Sequence, residues 1–142
     1  MATTTIPDPA EMRAGKSGSV RAGWAVSALV ILFLAVDGAM KLAQFPIVTE
    51  ASVALGWPSD PASTYLLAAL LIGSTLLYAL PRTAILGAIL LTGYLGGAVA
   101  THVRIGSPLF SHTLFGVYIG LVVWGGLWLR DPRLRALLPI RR

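Results

Sequence analysis

The chain has 142 residues, 56% of them hydrophobic and 12% charged, with a net charge of +5 and no cysteine. A soluble domain carries about 25% charged residues, so this composition excludes a water-clothed globule, and the mean hydropathy of +0.76 points to lipid as solvent. Missing cysteine excludes disulfides, thiol catalysis and thiolate metal sites.

Two histidines without metal-ligand spacing argue against any metal. The basic residues stand at the ends of apolar runs and not on a soluble module, which argues against nucleic acid as a partner.

Residues 1–20 are polar and rich in Thr, Pro, Gly and Ala, the composition of a disordered tail. A signal peptide is the competing reading, because Arg21 precedes an apolar stretch. Against it, that stretch is long for a signal core, and the positive residues begin far from Met1.

Crossing the hydrocarbon core takes about 20 apolar residues in a helix. Four runs meet or approach that length: 22–42, 64–80, 84–103 and 112–129. Pro81 closes the second and favours a tight hairpin into the third, since its ring fixes φ and removes a donor. Ser107-Pro108 parts the third from the fourth, and Asp131-Pro132 ends the fourth. The predicted fold is therefore all-α, a four-transmembrane-helix bundle over residues 21–130, followed by a basic tail over 131–142.

Arg13, Lys16, Arg21, Arg82, Arg130, Arg133, Arg135, Arg141 and Arg142 fall on one side of these spans, and only Lys41 and Arg104 on the other. The positive-inside rule then places both termini in the cytoplasm of a multi-pass protein of the cell membrane.

The longest connection, 43–63, is predicted outside. Residues 47–55 within it read either as a short amphipathic helix at the interface or as an ordinary loop, with Trp57 and Tyr65 at headgroup depth. Gly93 and Gly97 form one GxxxG pair and Gly116 and Gly120 another. Such pairs let helix backbones approach closely, within the bundle or between copies in a homo-oligomer.

Ionisable residues inside a membrane demand a partner or a wet cavity. Asp37 and Lys41 are four residues apart, on one helical face and in the favourable order. They lie roughly 22 and 28 Å along the first span at 1.5 Å per residue. The third span ends at that level with Thr101, His102 and Arg104, the fourth begins there with His112, and the outer loop adds Glu50. These seven residues are the predicted ligand-binding cluster. The inner half of the bundle is expected to hold almost no ionisable residue, and Thr92 and Tyr94 to be packed hydroxyls.

Three readings of the cluster stand side by side. One is structural, with Asp37 neutralising Lys41, Arg104 snorkelling or pairing with Glu50, and His102 capping a helix. Another is a pocket for an amphiphile such as a quinone, with apolar walls and a few convergent polar groups. The last is a proton or ion path, for which no carboxylate chain continues inward.

The segment 37–42 (DGAMKL), the loop residues 55–58 (LGWP), the turn 81–87 (PRTAILG), the run 91–104 (LTGYLGGAVATHVR) and the ending 129–135 (LRDPRLR) resemble the DoxX-like membrane family. The resemblance covers most of residues 22–139. It implies a four-helix membrane fold, a link in name to thiosulfate:quinone oxidoreductase and, among relatives, redox partners in the membrane. A distant eukaryotic branch implies chaperone-like work in receptor assembly.

Lys41, Gly97, Thr101, His102 and Arg104 match the family's recurring residues. Asp37 stands where relatives carry a small or hydroxylated one. No nucleophile–base pair, metal site or phosphate-cradling loop accompanies them, so the expectation is a membrane subunit or accessory factor of redox metabolism without its own catalytic constellation. An assembly partner for another membrane protein and a carrier of small hydrophobic molecules or ions are the alternatives.

Overall fold

A computed structural model describes the backbone of residues 9–137 and the side chains of residues 18–137. In chain order the elements are α1 (Pro9–Leu42), α2 (Pro46–Ala54), α3 (Pro61–Ala79), α4 (Ala84–Arg104), a π-helical turn (Leu109–Thr113), α5 (Phe115–Arg130) and α6 (Pro132–Leu137). Four stretches are long and apolar enough to cross a membrane: Gly18–Leu42, Pro61–Ala79, Ala84–Arg104 and Leu109–Arg130. The all-helical, four-span expectation holds.

α1 reaches further back than the apolar boundary at residue 22. Residues 9–20, expected as disordered tail, are helical. Proline at a helix start loses no hydrogen bond, and Ala, Glu, Met, Arg and Lys follow it; extending a helix already nucleated adds one bond per residue. Residues 1–8 and 138–142 lie outside the described residues, as do the side chains of Arg13 and Lys16.

α3 also starts early, at Pro61. The Asp60 carboxylate accepts the Ser63 N–H at 3.1 Å, and Pro61 occupies the first helical position.

α1 packs on α3 and α5, and α4 closes the ring by touching the same two helices. The four alternate in direction, so both ends of the described chain lie at one end of the bundle, with Arg82 in the α3–α4 turn; we call this the basic end. The core runs through Val30, Leu71, Tyr78, Ala84, Ala88, Leu91, Val123 and Leu127, all buried. Leu29, Leu32, Leu66, Leu76 and Leu121 point outward, as lipid permits.

Glycines permit the closest approaches. A Cβ on Gly87 would run into the Tyr78 backbone, and one on Gly23 would come within 2.5 Å of Arg130 N.

At the far end of the bundle, α1, α2 and α4 stop in the same way. Gln44, Gly56 and Gly106 take positive φ (53°, 82° and 68°), and the next N–H turns back to Met40 O, Ser52 O and His102 O respectively. This is the Schellman arrangement, which satisfies carbonyls a helix end would leave bare. It turns the chain from α1 into α2, so of the two readings of residues 47–55 the short helix is the one present, and it lies across the bundle's mouth.

Candidate functional site

Beneath α2 lies a partly open cavity of about 850 Å³ to which α1, α2, α3, α4, the π-turn and α5 all contribute. Its wall is mostly apolar, with Phe33, Leu34, Leu67, Leu70, Ile89 and Leu90 among the lining residues. The polar groups come mainly from the helix ends at the mouth. There Lys41 Nζ donates to both Asp37 oxygens at 2.6 Å, and the side chains are 14% and 36% exposed, respectively. It is the only salt bridge among the described residues.

His102 and His112 face one another across the lining with ring centroids 6.0 Å apart. Each has its Nδ1 engaged by a serine, Ser107 at 2.9 Å and Ser111 at 2.8 Å. Both Nε2 atoms are thus left to meet a ligand, as donor or acceptor according to tautomer. The π-turn carrying Ser111 and His112 replaces the α-helical start expected for the fourth span, and such turns concentrate at functional sites. Among the described residues there is no group of three or more metal-ligating side chains.

The structure brings together five of the seven cluster residues. Asp37, Lys41, Thr101, His102 and His112 line the cavity; Glu50 and Arg104 do not. Glu50 lies on the exposed side of α2. Arg104 neither pairs with Glu50 nor points inward. Its Nη2 donates to Leu55 O at 2.8 Å and its guanidinium covers Gly56, so it fastens the end of α2 to α4. The Schellman turn after α2 exposes that carbonyl, and this tertiary event leaves no mark in sequence spacing. Thr101 Oγ1 donates to Gly97 O at 2.9 Å, within its own helix.

The two glycine pairs part company. Gly116 packs as expected, since an added Cβ would sit 3.0 Å from Leu95 O, while one on Gly120 would lie 3.9 Å from the Leu95 side chain, in ordinary van der Waals contact. Gly93 and Gly97 line the cavity, and a Cβ there would meet nothing within 4 Å. Their expected helix-packing role within the bundle is corrected: α4 faces empty space there, and their smallness widens the cavity.

Tyr94, expected as a packed hydroxyl, also lines it, and its Oη makes no hydrogen bond among the described residues. Thr92 is packed as expected, donating to Ala88 O at 2.8 Å and accepting from Trp124 Nε1 at 2.9 Å.

The basic end holds what sequence reading missed. Tyr78 Oη donates to Val123 O at 2.8 Å, so Ser27 Oγ, 3.0 Å away, donates to Tyr78. Arg130, expected beyond the end of the fourth span, is only 7% exposed. Its guanidinium lies between the rings of Trp24 and Tyr78, 4.5 and 4.7 Å from their centroids, and its Nη2 donates to Tyr78 O at 2.7 Å. With Thr83 Oγ1 on Leu77 O at 2.8 Å, it satisfies the carbonyls left bare where α3 ends. The signal was an arginine closing an apolar run, indistinguishable from an ordinary topogenic charge.

Four apolar spans around a half-open cavity define a multi-pass helical membrane protein. Residues 25–126, well over half of the chain, match the DoxX-like family, and the chain belongs to it. No curated protein and no solved structure matches the chain.

Proposed function

We propose that this DoxX-like protein holds a quinone, or an amphiphile of similar shape, in the cavity under α2, acting as a membrane subunit or accessory factor of redox metabolism. The observation that carries this reading is one apolar cavity of about 850 Å³ with Lys41, Tyr94, His102 and His112 on its lining. That volume falls in the range of small-molecule sites, roughly 300–1,000 Å³. A quinone presents carbonyl oxygens that ask for donors and a tail that asks for apolar walls. His102 and His112 offer Nε2, Tyr94 offers its hydroxyl, and Lys41 has three protons to share between Asp37 and a guest. Phe33, Leu67, Leu70 and Leu90 suit the tail.

With both termini cytoplasmic in the cell membrane, the cavity opens in the outer leaflet. With no cysteine in the chain, electrons would pass through the bound molecule and a partner protein.

Mass spectrometry of extracts from the purified full chain tests the reading. Stoichiometric quinone is expected in the wild type and a loss of most of it in His102→Ala, with thermal stability unchanged. Wild-type protein free of quinone, purified from quinone-containing membranes in mild detergent, would overturn it. Sidedness has a separate test: Ser59→Cys should react with an impermeant thiol reagent added outside intact cells, and reaction only after lysis would reverse the orientation.

A further inference from the structure

A second pocket, of about 580 Å³, opens at the basic end, far from the first. Trp24, Arg82, Leu127, Arg130, Asp131 and Arg133 are on its lining. It lies where α3 and α5 end and the α3–α4 turn begins, at the boundary between hydrocarbon and headgroups. Three arginines, from the α3–α4 turn and the α5–α6 junction, therefore line one pocket at the end of the apolar spans, the level where lipid phosphates are expected.

Their charge is balanced only in part, three arginines against one carboxylate. Among the described residues none of the three arginines has a salt bridge. Asp131 is the one carboxylate on the lining, and its Oδ1 is occupied in accepting the Arg133 N–H at 2.9 Å, at the start of α6. Arg130 Nη1 is buried without a hydrogen-bond partner. Burying a cation with an unmet donor is expensive unless an anion stands nearby. Two aromatic faces lower that cost and leave the charge in place.

We infer that this pocket binds a phosphate group, most directly the phosphodiester of an anionic lipid of the adjoining leaflet. Arg82 and Arg133 grip the phosphate oxygens as planar donor forks, a geometry that suits phosphate better than a point charge does. Arg130, held rigid between Trp24 and Tyr78, supplies a fixed positive field behind them. Trp24, 43% exposed, and Ile85 lie where the glycerol and first acyl carbons would rest. Occupancy would tie the α3–α4 turn to α5 and α6 through a second anion beside Asp131.

Native mass spectrometry of the full chain released from detergent tests this, with phosphatidylglycerol, phosphatidylcholine and inorganic phosphate as probes. Phosphatidylglycerol should be retained at least roughly tenfold better than phosphatidylcholine. The double variant Arg82→Gln/Arg133→Gln should lose most of that preference, while Arg21→Gln, an exposed arginine outside the pocket, should keep it. Displacement of the lipid by millimolar inorganic phosphate would assign the site to free phosphate; persistence would assign it to the lipid. Equal retention of the two lipids, or an equal loss in Arg21→Gln, would overturn the inference. The thermal midpoint of each variant without lipid separates a binding defect from an unfolded one.

Discussion

The two ends of the bundle solve opposite problems with the same four helices. At the basic end, Tyr78 spans from α3 to α1 and α5, Gly87 presses α4 onto α3, and Arg130 fills the space between Trp24 and Tyr78, so side chains and backbones of all four helices meet beside the pocket that Arg82 and Arg133 line. At the far end, α4 presents Gly93 and Gly97 to open space, and α2 bridges the mouth by one arginine–carbonyl bond. Glycine thus serves contact at Gly87 and Gly116 and vacancy at Gly93 and Gly97. Lipid supplies no hydrophobic drive between helices, so the tightly packed half holds the bundle together and leaves the other half free to stay open.

Substitutions can break that contrast. Gly87→Leu is expected to be the most damaging: its side chain would collide with the Tyr78 backbone and cost roughly 3 kcal/mol, measured as a lowered unfolding midpoint in detergent. Arg104→Ala should act locally, removing a charged hydrogen bond of about 1.5 kcal/mol. Hydrogen exchange over Pro46–Ala54 should quicken roughly tenfold while the thermal midpoint holds.

Tyr78→Phe should cost about 1 kcal/mol, since the phenol that joins Ser27 to Val123 is lost and its ring remains. Gly97→Leu should change stability least, by about 0.5 kcal/mol or less, because the site is open. It should nonetheless empty the cavity of any bound amphiphile. If Gly97→Leu destabilised as much as Gly87→Leu, the distinction between a packing half and an open half would fail.

The element boundaries that sequence reading missed share a cause. α1 and α3 began earlier than the apolar runs because Pro9, Pro61 and the Asp60 cap favour helix in polar sequence, where hydropathy is silent. The candidate site was legible as a level in the membrane: counting along the spans brought Asp37, Lys41, Thr101, His102 and His112 to one height, and they line one cavity. Counting says nothing of azimuth, so it included Glu50 on the outer side of α2 and Arg104 on the Leu55 carbonyl. The same blindness hid Tyr94, which faces the cavity, and paired Gly93 with Gly97 for packing that α4 does not make there.

By itself the sequence determined that this chain lives in a bilayer, where its four spans begin and end to within a few residues, and the level along the spans at which its charged groups fall. Hydropathy and charge placement carry that information locally, because each residue's cost of transfer into lipid depends on the residue itself. Which glycines touch and which stand clear, that Arg130 is buried under Trp24 and that α2 roofs a cavity were decided only by the tertiary structure. Those facts depend on the rotation of each helix about its axis, which is set by neighbours distant in the chain.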